Sequence, residues 1–242
     1  MNRRFRLRLR THPLRAFGLA LTLYLGLAYA ILPRLWHLYE AHTPAATSDL
    51  RTVTSIGVPG DPLNIGLFGT PPDLDQIMDR AGWLRADPLN WRTGLGITRS
   101  ILFGTAYSRA PVSTLYFAGR PQDIAYEKAI PPDADRRHHV RFWRMPQTDP
   151  LGQPLWYGAA TMDVAVGLNH LTGQFTHHIN PDIDRERDGL LADLAATGQL
   201  GAIAASPAHG AVARGRNGEG DPFFTDGLLR VAPILVPPPT SP

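Results

Sequence analysis

Six arginines (Arg3, Arg4, Arg6, Arg8, Arg10 and Arg15) precede the first acidic residue, Glu40, and after them run 18 residues without a charge, AFGLALTLYLGLAYAILP. A helix rises about 1.5 Å per residue, so this stretch is just long enough to cross a hydrocarbon layer of about 30 Å. Tyr24 and Tyr29, with Trp36 and Tyr39 beyond them, suit the membrane interface, and Pro33 is placed to end the helix. Six arginines on one flank against Arg34 on the other predict that the N-terminus stays in the cytoplasm. The expected layout is a basic cytoplasmic tail over residues 1–15, a single-pass anchor over 16–35 in the inner membrane, and translocation of everything past about residue 40. A cleavable signal peptide is the competing reading, because Ala28, Tyr29 and Ala30 form an A-x-A pattern after the apolar run. Against it, apolar residues continue through Ile31 and Leu32. A buried core helix would leave the arginine cluster without a purpose.

The same cluster explains the overall charge. Of 24 basic side chains, six lie in the leader, and the remaining 18 face 21 acidic ones. The rest of the chain is therefore slightly acidic, and no nucleic-acid partner is expected. With 43% hydrophobic residues in 242, the chain can bury a sizeable core. It has no cysteine, which excludes disulfides, thiolate metal sites and a cysteine nucleophile.

Beyond the leader, residues 36–52 read as a juxtamembrane linker, 53–235 as one domain, and 236–242, which include VPPPTSP, as a disordered tail. Leu63 to Phe68 reads as a short buried strand. Pro71, Pro72 and Asp73 open a helix whose Leu74, Ile77, Met78 and Ala81 recur at helical spacing, with Gly82 as its stop. A further helical segment is expected over Trp91 to Phe103. The segments STLYFAG, DIAYEKAI, HHVRFWRM and PLWYGAATMD are rich in aromatic and β-branched residues between Gly, Pro and Asp, and predict an antiparallel meander. Asn180 as N-cap and Pro181 as first residue predict a helix with Ile183, Leu190, Leu191 and Leu194 on one face and Gly198 at its end. ARGRNGEGDPFFTDG reads as a loop, and a strand is expected near Leu228 to Leu235. The fold class is α+β: one transmembrane helix, then a single domain with a mostly antiparallel sheet and two to three helices.

Five of the six histidines outside the leader region fall between His138 and His178. Neighbours in a strand face opposite sides, so only one of His138 and His139, and one of His177 and His178, easily joins a common site. His139, His170 and His178 with Asp182 offer the nitrogen and oxygen ligands of a divalent transition metal such as zinc, with Asp182 or Asp188 as catalytic carboxylate. No H-E-x-x-H or helical histidine pair supports that set. The alternatives are histidines that satisfy buried polar groups, and an anion site in which Arg137 and Arg141 act with the helix N-terminus near Asp182, itself opposed by Asp182 and Asp184. Neither G-x-S-x-G nor S-x-x-K is present, and GRNGEGD lacks the lysine of a phosphate loop.

Several long segments carry a family resemblance: DPLNIGLFGTPPDL, AGWLRADPLN, GRPQDIAYEK, RRHHVRFWR and PLWYGAATMDVAVGLNHLTGQFTHHINPDIDRERD, together most of residues 61 to 188. They resemble the LssY C-terminal domain family, a domain of undetermined function. In larger members a similar domain is joined to membrane domains of lipid-phosphatase and small-transporter type, which implies work at a membrane on lipid or envelope components. This chain has no counterpart of the phosphatase motif, and the family supplies no catalytic residues to carry over. Val164 and Ala165 stand where the family pattern has Arg and Gly, so any site that used that arginine is altered here. The reading is a membrane-anchored extracytoplasmic domain, in contact with the bilayer through residues 16–35, that binds an envelope lipid or protein partner. The alternative is a metal-dependent hydrolase acting on an envelope phosphate or lipid.

Overall fold

The computed structural model describes residues 13–32, 34–35, 38, 50–55, 57–87, 112–130, 133–208 and 213–235. The helix expected over Trp91 to Phe103, the tail over 236–242 and most of the linker over 36–52 lie outside these residues. Helix α1 (Pro13–Gly26) continues as a π-turn over Leu27–Ile31. These 19 residues form the one described helix long and apolar enough to cross a membrane. Leu14, Phe17, Leu19, Leu21, Leu23 and Leu25 are all exposed, a distribution that suits lipid rather than water.

The remainder is α+β, as the alternation of strand and helix patterns predicts. Its strands are β1 (Arg51–Thr54), β2 (Pro59–Pro62), β3 (Ile65–Phe68), β4 (Leu84–Arg85), β5 (Leu115–Phe117), β6 (Arg120–Pro121) and β7 (Ile124–Ile130). They continue with β8 (Asp133–Thr148), β9 (Pro154–Leu168), β10 (Phe175–Ile179), β11 (Ala204–Pro207), β12 (Arg214–Arg216), β13 (Pro222–Phe224) and β14 (Leu228–Pro233). The central sheet runs β11-β14-β3-β9-β8-β7-β4, and β10 also pairs with β9. Every pairing in it is antiparallel except β14 with β3.

Strand β9 carries β3 along its first third and β10 along its last. Between them the Asn64 side chain stands in for a strand residue, donating to Ala160 O at 2.9 Å and accepting from Ala160 N at 3.0 Å. The two bonds pair the Ala160 backbone in the gap between β3 and β10, and Asn180 N donates to Met162 O beyond it.

Helices α2 (Pro71–Arg80) and α3 (Ile183–Ala196) cover one face of the sheet. The expected start of α2 is found: Thr70 and Asp73 form a reciprocal capping box ahead of Pro71, and Leu74, Ile77 and Met78 are buried. The start of α3 differs from the expectation by two residues. Asn180 bonds Asp182 N in a local turn, which holds Pro181 outside the helix, and Asp182 caps it by accepting from Arg185 N. Both helices pack on Ile65, Leu67, Tyr126, Val140, Phe142 and Trp156. Gly158 lies between two of these side chains, since a Cβ there would sit 2.6 Å from Ile65 and 2.7 Å from Phe142.

The opposite face is covered by a small sheet, β2-β1-β5-β6, and by the β12–β13 hairpin. The sequence pattern predicts a loop over this segment. It is a paired ribbon whose turn inserts Asn217 and Asp221 into the interior. Gly218 allows the approach, because a Cβ there would meet Thr54 at 2.4 Å.

Candidate functional site

Alternation along β8 sends His138, Val140 and Phe142 to the helix face and Arg137, His139, Arg141 and Trp143 to the other. Trp143 closes one end of that second face with Leu63, Leu115, Phe117 and Ala159. The rest is a continuous, mostly buried polar layer.

Arg137 donates to Asp163 at 3.1 Å, to Glu127 at 3.2 Å and to His177 Nε2 at 2.9 Å. A guanidinium only donates, so His177 is the acceptor and must be neutral there. Burial and the Arg137 charge lower its pKa to about 4. His139 bonds Thr161 Oγ1 at 2.6 Å, and its Nδ1 lies 3.4 Å from Asp163 Oδ1 without hydrogen-bond geometry. Burial first, then Arg141 and Arg137, hold His139 well below the usual histidine range. Asp163 is pushed up to about 6 by burial, against the pull of Arg137. Arg141 pairs with Asp61 at 3.4 Å and donates to both oxygens of Ser113. Burial raises Asp61 despite Arg141. Glu219, on the hairpin turn, is pushed up to about 8 by burial and by the facing charge of Asp61.

At the rim of this layer stand His170, His178 and Asp221. One ligand atom from each lies within 4.8 Å of the other two. His178 Nδ1 is 2.7 Å and His170 Nε2 3.5 Å from Asp221 Oδ1, and the two imidazole rings meet edge to face at 4.9 Å. Asp221 is oriented from behind: its Oδ2 accepts from Ile179 N, and its N–H donates to Asn217 Oδ1. Asn217 in turn donates to Asp61, which ties the rim to the buried layer. The loop bearing His170 also meets α1, where Tyr24 Oη donates to Gly173 O at 2.9 Å and Ala28 is buried.

A separate cleft of about 340 Å³ opens on the helix face, lined by Trp83, Lys128, His138, Asp182, Glu186 and Asp193 among others. His138 bonds Glu186 there at 2.7 Å.

Of the residues singled out in the sequence, the structure brings His170 and His178 together. The other two of that set have different partners: His139 is sealed in the buried layer, and Asp182 caps α3 at the edge of the cleft. Asp188 is exposed and bonds Arg187 at 2.8 Å. Arg137 and Arg141 face buried carboxylates, so their charge is already neutralised within the fold. Asp221, the third member of the rim group, went unnoticed in the sequence. Its one sequence signal is its place after Gly220 in a segment dense with turn residues, and Gly220 does adopt a φ of 83°.

A family model described as LssY C-terminus matches residues 42–229. The chain belongs to that family. The match takes in the described domain up to the second residue of β14, so the buried layer and the rim histidines are parts of the LssY C-terminus domain. No curated protein and no solved structure matches the chain.

Proposed function

We propose that this LssY C-terminus domain is tethered in the inner membrane with its N-terminus in the cytoplasm, and that it binds an envelope ligand at the outer surface of the bilayer. The observation that carries this reading is the apolar helix over Pro13–Ile31, long enough to cross a bilayer and with its leucines exposed. The β9–β10 hairpin exposes Val166 and Leu168, apolar side chains two apart on one strand face. Under this reading the β9–β10 end faces lipid. The β8–β9 turn, with Leu151 81% exposed, lies at the far end of β9, about 40–50 Å away for an extended strand.

The chain has no cysteine, so single labels are placed cleanly. Leu168→Cys carrying an environment-sensitive fluorophore, in chain reconstituted into vesicles, is expected to be quenched by nitroxide lipids and shielded from aqueous iodide. Leu151→Cys should behave in the opposite way. Equal access of iodide to both labels would overturn the placement, and a C-terminal reporter active in the cytosol would overturn the orientation.

A second reading, a metal-dependent hydrolase of an envelope phosphate or lipid, is favoured by one observation, the meeting of His170, His178 and Asp221. A bound metal would supply activated water, and Asp221 and the two imidazoles would hold it. Turnover of a chromogenic phosphodiester that is lost in His170→Ala would support it. No turnover with zinc, cobalt or manganese would retire it.

A further inference from the structure

We infer that His170, His178 and Asp221 form a binding site for a divalent transition metal of the zinc class, with three protein ligands and an open coordination position. This deepens the hydrolase reading by supplying the centre that it requires. Metal content and turnover are separate measurements, so either can fail alone.

The donor set is the first ground. Two imidazoles and one carboxylate suit zinc, cobalt, iron or nickel, and they disfavour magnesium and calcium, which take oxygen ligands. Spacing is the second. Ligands at about 2.0–2.2 Å around a tetrahedral ion are about 3.4 Å from each other. His170 Nε2 and Asp221 Oδ1 are 3.5 Å apart, and His178 Nδ1 to Asp221 Oδ1, at 2.7 Å, is a hydrogen bond that a small ring movement would exchange for a shared ion.

The third ground is the support behind the ligands. Metal-binding carboxylates are commonly held by hydrogen bonds from the protein, and the Asp221 carboxylate accepts from Ile179 N at 3.0 Å, while the Asp221 backbone N–H donates to Asn217 Oδ1 at 2.9 Å. Two glycines let the two histidines approach. A Cβ on Gly167 would lie 2.5 Å from His178 Nε2, and one on Gly220 would lie 2.8 Å from His170 Cβ. Strand β9 thus gives room to His178 and the β12–β13 turn gives room to His170. The fourth ground is access: the His170 side chain is 57% exposed while Asp221 is 5%, so one side of the triad faces outward for water or a substrate oxygen.

The test uses the full chain in detergent, purified without a histidine tag. Zinc retained after gel filtration is measured by mass spectrometry, and cobalt binding by visible absorption. About one equivalent of zinc and a tetrahedral cobalt spectrum are expected, with magnesium unable to compete. His170→Ala, at an exposed side chain, should weaken binding at least about tenfold without altering the fold. His138→Ala, in the separate cleft, should leave binding unchanged. Asp221 also holds β10, so Asp221→Asn is read only where its unfolding curve matches the wild type. Absence of retained zinc at equimolar metal, or equal retention by His170→Ala and wild type, would overturn the inference. Metal binding without phosphodiester turnover would uphold it and remove the hydrolase reading.

Discussion

Replacing His177 by glutamine keeps an acceptor for the Arg137 guanidinium and removes a group that titrates. In the native protein, burial and the Arg137 charge lower the His177 pKa from 6.5 to about 4. In the unfolded chain it returns to about 6.5. As pH falls, the unfolded chain takes up a proton that the native chain refuses. The native state therefore loses stability through the window from 6.5 down to about 4. Integrated over that window, the loss is about 2 kcal/mol at about pH 5 and close to zero at about pH 7.5. His177→Gln lacks this loss. Its stability relative to wild type should rise by about 2 kcal/mol on going from about pH 7.5 to 5, or about 4–8 °C in Tm for a domain of this size. Asp163, whose native pKa of about 6 lies above its unfolded value, has the opposite sign and gains stability as pH falls through 6, but it is common to both proteins. Thermal unfolding of both chains in detergent, followed by tryptophan fluorescence at several pH values, makes the measurement. A Tm difference that stays constant over that range would refute the reasoning, because His177 would then be free to protonate in the native state.

Arg187, 1% exposed, is held by Asp184, Asp188 and Asp226 at 2.8–3.0 Å, so Arg187→Ala should cost about 3 kcal/mol in urea unfolding by leaving three carboxylates facing one another. A loss below about 1 kcal/mol would show that those carboxylates rehydrate freely. Gly158→Ala should cost about 1–3 kcal/mol, because its methyl would press into Ile65 and Phe142, and a compensating Phe142→Leu should recover part of it in the same assay.

How much of this was legible in sequence depended on whether the signal was local. The α2 helix was readable because Thr70, Pro71 and Asp73 act within one turn. The long strands β8 and β9 were readable in their middles, where aromatic and β-branched residues cluster. Their ends, 133–137 and 164–168, contain Asp135 or follow Asp163, a residue type that reads as a break between strands, and were missed. The split of His138 from His139 followed from strand alternation alone, and the two do lie on opposite faces. Which histidines would meet was not legible. His170 and His178 converge on Asp221 only because β10 and the β12–β13 turn, more than 40 residues apart in the chain, come together. The sealing of Arg137 and Arg141 in ion pairs was hidden for the same reason, since their partners Glu127, Asp163 and Asp61 come from three other strands.

The order of the central sheet also governs when the domain can form. Strand β3, near the start of the domain, lies between β9 and β14, and its pairing with β14 joins Ile65 to Arg230. Neither neighbour exists until much later residues have been made. Such wide sequence separation slows assembly, so most of the polypeptide must emerge before the centre of the sheet can close. A ribosome or a translocation pore would thus handle this protein as a pliable thread for nearly the whole of its passage.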